Sequence, residues 1–372
     1  MRDRKNTKFQ FSNEMLEERQ VLSASVKSAI VGRVARPVVS INPVAQKPVQ
    51  VTTSKIHSAA IQSKADAVIV AADAAPAVSV ITSDITTDTT FRQGTNYIID
   101  GEIHVKAGVT LTIENDVTIL IRNGYIPRTR LLDTSALIFD SGSKMQAQTV
   151  HFRSADANNK QSFVPLNGGL FFCGSTTDAS KDGISVDTSK VTGKSSFVAD
   201  RIDLVKVGRP DPKGGDGDDQ DKDDIDAISL LGLGEDEWTV SRVLSYGSGD
   251  DGFDVTNSTV SLDFLLVDKP KEDGVNLSSS FLKIRTGLTI KMGSNTYNDR
   301  ELFDFEVDDG PSRLLVSKGA YVNLQGYWGG KGDREILVSS DMPPSPGGDC
   351  RISYCYKGKL KKSPAFVYAL SD

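Results

Sequence analysis

The chain is predicted to be all-β, a stack of short parallel strands wound as a solenoid, a single-stranded parallel β-helix. Three observations carry this. Gly, Asp, Ser, Thr and Val are abundant, so strands and turns are favoured over long helices. Residues 98–121 alternate apolar and polar side chains in three short runs separated by turn signals. A short Asp-Gly motif recurs at intervals close to multiples of one coil.

With 372 residues, 38 % hydrophobic and 25 % charged, the chain can bury a sizeable core. It has no apolar run long enough to span a membrane. Three cysteines (Cys173, Cys350, Cys355) exclude a disulfide scaffold, and three histidines, all before residue 152, leave little for imidazole chemistry. Residues 1–64 carry 11 Lys and Arg against 4 Asp and Glu, leaving 32 against 45 for the rest, so a basic tail precedes an acidic body. Few aromatics interleave with the tail's charges, so nucleic acid is not expected as a partner.

Taken in chain order, the first landmark is a short helix pattern with Asn13 as its cap and Glu14, Glu17 and Glu18 in its first turns. Within it, Leu16-Glu17-Glu18-Arg19-Gln20-Val21-Leu22 resembles the Leu-Glu-x-Arg-x-Leu-Leu signature near the start of planctomycete-type exported surface proteins. Leu16, Glu17, Arg19 and Leu22 are the matching positions, while Val21 replaces the first of the paired leucines. The resemblance implies an extracellular or cell-surface address in a bacterium. Residues 26–83 scatter Pro37, Pro43, Pro48 and Pro76 among small and β-branched residues, which predicts a flexible linker, although its most apolar part, 65–81, also fits a buried first strand or a cleaved targeting segment. The expected organisation is therefore a leader over 1–83, a β-helix over 84–340 and a C-terminal cap over 341–372.

The body begins with Ile103/Val105, Leu111/Ile113 and Val117/Ile119/Ile121, separated at Gly108 and Asn115-Asp116, three strands within the length of one coil. Asp182-Gly-Ile-Ser-Val186, Asp251-Gly-Phe-Asp-Val255 and Asp273-Gly-Val-Asn-Leu277 then repeat, with Asp224-Ile-Asp-Ala-Ile228 as a looser copy. In register, Ile184, Phe253 and Val275 would form one inner ladder and Val186, Ile228, Val255 and Leu277 another, with Asp254 and Asn276 facing outward. Thr239-Val-Ser241 and Thr259-Val-Ser261 suggest a second register. Residues 301–310 place Phe303, Phe305 and Val307 on one face and Asp304, Glu306 and Asp308 on the other. Cys350 and Cys355 are close enough to pair in an oxidising compartment, and two free thiols fit equally well.

The runs at 86–121 and 251–290 resemble right-handed β-helix proteins of the pectate-lyase-like superfamily, which implies the handedness of the winding and leaves lyase, hydrolase, adhesin and structural-stalk roles open. Ser248-Gly-Asp-Asp-Gly-Phe-Asp254 is similar to the Gly-Asp-Asp element of polygalacturonase-type hydrolases, in which one acid protonates the leaving oxygen and another activates water. That makes Asp250, Asp251 and Asp273 the catalytic candidates, with Arg285 available to a calcium-dependent lyase. The family's Asn-Thr-Asp element is absent, and Lys283-Ile-Arg285 reverses its basic pair. The expected function is therefore structural or carbohydrate-binding and not catalytic, with a polysaccharide hydrolase or lyase as the alternative.

Asp216, Asp218, Asp221 and Asp223 lie in a stretch, 211–226, with eight Asp and two Lys, a pattern that fits a Ca²⁺ site or a solvated loop. No phosphate-binding or dinucleotide motif is present, so no organic cofactor is expected. A monomer that meets cell-envelope or extracellular polysaccharide is the expected partner state.

Overall fold

The computed structural model of the protein describes residues 76–122, 132, 134–156, 158–162, 164, 168–210, 225–293, 301–306, 309–317 and 320–325, and the backbone of strands 338–340, 351–353, 355–356 and 359–360. The four aspartates expected to hold calcium, the export signature and Cys350 lie outside these residues, as does the side chain of Cys355.

Every regular element described is a strand. The stack opens with β1 (Ala77–Ile81), β2 (Thr89–Phe91) and β3 (Thr95–Ile99). One complete coil follows as β4 (Glu102–Val105), β5 (Thr110–Ile113) and β6 (Val117–Arg122), and the next as β7 (Ala136–Phe139), β8 (Lys144–Ala147) and β9 (Thr149–Ala155). These are the three runs expected from the alternation. Ile103, Val105, Leu111, Ile113, Val117, Ile119 and Ile121 all enter one buried core, and the corners fall at Gly108 (φ 79°) and Asp116 (φ 60°).

From there each coil simplifies. β10 (Leu170–Cys173) leads through a hairpin, β11 (Ala179–Lys181) and β12 (Ile184–Val186), into the ten-residue β13 (Ser196–Val205). The start of β13 pairs with β8 and its end with β9, so two faces of the tube merge into one long strand. The pattern repeats as β14 (Ile228–Leu231) with β15 (Trp238–Tyr246), β16 (Asp254–Thr256) with β17 (Thr259–Asp268), and β18 (Val275–Ser278) with β19 (Phe281–Lys291). The faces separate again at β20 (Phe303–Glu306), β21 (Arg313–Val316) and β22 (Tyr321–Gln325), both of the last two pairing with β19. β23 (Val338–Ser340) and β24 (Arg351–Ser353) extend the sheets, and β25 (Cys355–Tyr356) pairs antiparallel with β26 (Lys359–Leu360). Pairing thus starts at Ala77, ahead of residue 84, and enters the segment expected to be a cap.

Two parallel sheets result. The first is eight-stranded, in the order β23-β20-β18-β16-β14-β10-β7-β4, and the second is fourteen-stranded. Side chains of one register stack along the first sheet as Val105, Phe139, Phe172, Leu230, Val255, Leu277 and Phe305, all buried. Phe139 and Phe172 stack 4.8 Å apart with planes inclined by 3°, and Trp238 meets Phe172 edge-on at 5.2 Å. A parallel strand spacing of about 4.8 Å brings identical rings to stacking distance without strain, which is why aromatics on adjacent coils suit this core.

The repeat registers need correction in three places. Ile184 and Val186 are not in the tube. Asp182 and Gly183, at φ 53° and 83°, are the central residues of a two-residue turn joining β11 to β12, and the hairpin packs outside the first sheet on Phe171, Cys173, Ile225 and Leu231. Asp-Gly with both φ values positive is the hairpin turn that matches strand twist, and here that local preference wins over the coil repeat. Ile228 stacks with Phe253 instead of Val255, because Leu230 pairs with Val255; Asp226, not Asp224, is therefore the coil equivalent of Asp251. Likewise Arg242 pairs with Phe264, a 22-residue offset that puts Ser261, not Thr259, level with Thr239.

Candidate functional site

The corner leading into the first sheet carries one acid per coil. By register, Asp226, Asp251, Asp273 and Glu301 occupy equivalent positions, each buried. The ladder is tied to the backbone: Asp251 Oδ1 accepts the N–H of Asp273 at 2.8 Å, and Asp273 Oδ1 accepts that of Glu301 at 2.6 Å. The glycines after Asp251 and Asp273 are sterically required. A Cβ on Gly252 would lie 2.2 Å from Val267 Cγ1, and one on Gly274 2.6 Å from the carbonyl oxygen of Leu302.

On the outer row of the same sheet stand Ser229, Asp254, Asn276 and Asp304 in register. The hairpin reaches this row through Lys181, whose Nζ lies 3.1 Å from Asp226 Oδ2 and 3.5 Å from Asp254 Oδ1. Ser229 Oγ donates to the same Asp226 oxygen at 3.0 Å, whereas Asp226 Oδ1 and Asn276 Oδ1 are buried with no hydrogen-bond partner among the described residues. Oxygens of Asp226, Asp251 and Asp254 lie within 4.8 Å of one another, and so do those of Asp250, Asp251 and Glu272.

Such crowding controls protonation. Burial, then the charge of Asp226, pushes the Asp251 carboxyl well above the usual carboxylate range. Burial does the same for Asp254 against the opposing pull of Lys181, and burial with the charges of Asp251 and Glu301 does so for Asp273. Burial works against the Lys181 ammonium, yet the surrounding carboxylates hold its pKa well above the ordinary value. Three converging carboxylates would suit a hard cation such as Ca²⁺. Lys181 Nζ already lies against two of them, so the chain itself supplies the positive charge in this cluster.

Of the predicted site residues, Asp250, Asp251 and Asp273 do come together at this corner, with relative exposures of 5 %, 4 % and 7 %. Arg285 does not join them. It lies on β19 of the other sheet, where a bulge sets Arg285 and Thr286 opposite Asp263, and its Nε donates to Asp263 Oδ1 at 2.7 Å. Sequence reasoning missed Lys181, Asp226 as the coil acid, and the contact of Asp254 with them. The usable signal was Lys181-Asp182-Gly183, a cation placed just before a hairpin turn.

Two further features lie away from this corner. A polar recess of about 450 Å³ at the opposite end of the first sheet's strands is lined by Gly108, Lys144, Lys194, Ser196 and Asp236, among others, with Lys194 paired to Asp236. On the outer face of the second sheet, Arg242, Phe264, Gly287 and Tyr321 stand in register on four successive coils. The Phe264 ring lies over Gly287, where a Cβ would come within 2.6 Å of its Cδ2. Tyr321 is 50 % exposed.

Coils of parallel strands in two stacked sheets, with an acidic corner and a roofing hairpin, define a parallel β-helix domain. The chain belongs to the pectate-lyase like beta helix domain family, which it matches over residues 83–320. No curated protein and no solved structure matches it.

Proposed function

We propose that this is a non-catalytic β-helix module of the bacterial cell surface or extracellular space that binds carbohydrate on the outer face of its second sheet. The row of Arg242, Phe264 and Tyr321 carries the reading. A flat aromatic ring seated on a glycine, a second ring two coils away and a guanidinium in the same register offer apolar faces for a sugar ring, with a polar handle beside them. The acids that would serve a hydrolase support the same reading, because Asp251 and Asp273 are buried and spend an oxygen each on backbone N–H groups of the next coil. In this proposal calcium at Asp216, Asp218, Asp221 and Asp223 stiffens their acidic insertion, and the Leu16–Leu22 signature directs export.

One specific observation favours the alternative, a polysaccharide hydrolase or lyase: burial raises the Asp251 and Asp254 carboxyls well above the usual carboxylate range within reach of a third carboxylate, the pairing a general acid requires. One experiment separates the two. The full chain is run through affinity gels of neutral and acidic polysaccharides, and the same mixtures are assayed for new reducing ends and unsaturated uronides. Retardation that is lost in Phe264→Ala and Tyr321→Ala, with no products, supports the binding module. Products that vanish in Asp251→Asn establish the enzyme instead.

A further inference from the structure

We propose that Lys181 and Asp226 join in an intramolecular isopeptide bond, Nζ to Cγ, that fastens the β11–β12 hairpin to the coil beginning at β14. Lys181 Nζ lies 3.1 Å from Asp226 Oδ2, one bond from the carbon it would attack. Asp226 is fully buried, and its Oδ1, the oxygen that would remain as the amide carbonyl, has no hydrogen-bond partner among the described residues. Ser229 Oγ donates to Oδ2, the oxygen that would leave.

Burial favours the uncharged product. The pair sits beside the satellite core that contains Ile184, Ile225 and Leu231, and joining a buried ammonium to a buried carboxylate as an amide removes two charges from a desolvated site. A third acid is in place to relay protons, since Asp254 Oδ1 is 3.5 Å from the same nitrogen and Asp251 adjoins it. In the reaction the Nζ lone pair attacks Cγ of Asp226, a C–N bond forms, and the Cγ–Oδ2 bond breaks. The ammonium gives up two protons, both of which leave on that oxygen as water, and Asp254 passes one of them across and ends unchanged. Ammonium plus carboxylate gives amide plus water, with no oxidant, reductant or energy source. The Lys181 side chain is 22 % exposed, so the released water has a way out.

The link would do what hydrogen bonds cannot do for this hairpin. Its strands have three residues each, and its outer placement gives it only a small core of its own. A covalent closure between positions 181 and 226 restricts the unfolded chain as a disulfide does, without needing an oxidising compartment.

Intact mass spectrometry of the denatured full chain tests the proposal. The wild-type protein is expected to be one water lighter than its sequence, and tryptic digestion is expected to yield a branched peptide joining the segments around positions 181 and 226. Lys181→Arg, which keeps the charge, and Asp226→Ala are each expected at full sequence mass. Full mass and no branched peptide in folded wild-type protein overturn the proposal. So does a deficit that persists in Lys181→Arg, because it would then arise from a cyclised Asp-Gly such as Asp251-Gly252.

Discussion

Raising the pH through the slightly alkaline range should weaken the N-terminal coils, through His104. This residue lies on the outer row of the first sheet, with Nδ1 2.6 Å from Asp140 Oδ1 and Nε2 3.1 Å from Glu102 Oε1. Burial alone would lower its pKa, but the hydrogen bonds to Asp140 and Glu102 override that and raise it from 6.5 to about 9. Only the imidazolium can donate from both nitrogens. Below pH about 6.5 the folded and unfolded chains both hold the proton, and the stabilisation is fully present. Between there and about 9 only the folded chain keeps it, so stability falls, and above about 9 the contribution is gone. At 1.36 kcal/mol per pH unit the ceiling is about 3 kcal/mol, the two carboxylates being mostly shielded from solvent. Urea unfolding followed by the fluorescence of the two tryptophans, compared at about pH 6 and about pH 9.5, reads this loss. His104→Gln should be less stable at the lower pH and should lack the alkaline decline. If wild type and His104→Gln keep a constant stability difference across this range, the doubly hydrogen-bonded imidazolium is not what the fold uses here.

Three other perturbations follow from the packing. Gly252→Ala drives a methyl into Val267 and the carbonyl of Gly274, so it should cost at least about 2 kcal/mol in urea unfolding. Phe172→Ala removes the ring that meets Phe139, Phe197 and Trp238, and a loss of about 3–5 kcal/mol is expected, seen as a lowered urea midpoint. Asp273→Asn keeps an oxygen for the Glu301 N–H while removing an ionisable group whose pKa burial raises well above the usual carboxylate range. A carboxyl with a raised folded pKa stabilises fully only below its ordinary value, so this variant should melt higher than wild type at pH about 8 and show no such gain at pH about 4.

How much of this was legible in the sequence depended on which force set each position. Ile103 to Ile121 could be assigned side chain by side chain because inward and outward residues alternate with period two, and burial enforces that period. Phe253, Val275, Val255 and Leu277 were legible because two consecutive coils share a 22-residue length with no insertion. The earlier copies were not legible. Asp182-Gly183 spells the same dipeptide as the coil corners, but both residues take positive φ and it obeys hairpin geometry instead. Asp226 was missed because Ala227 stands where later coils have glycine, so the motif no longer looked like itself. Lys181 was invisible as a site residue because its partners come from coils that only the winding brings alongside.

The merging of two faces into β13, β15, β17 and β19 divides the tube by what it can carry. In the earlier coils a turn interrupts each circuit between β5 and β6, at Glu114–Asp116, and between β8 and β9, at Gln148, so chain can be added there without disturbing a ladder. In the middle coils the backbone runs through that position as continuous strand. Added sequence is confined to the ends of the first sheet's strands, and the β11–β12 hairpin, between β10 and β13, enters there. Grafted loops should be tolerated at Gln148 and not at Asp263, so the one molecule offers a variable rim at its start and a fixed rail along its middle.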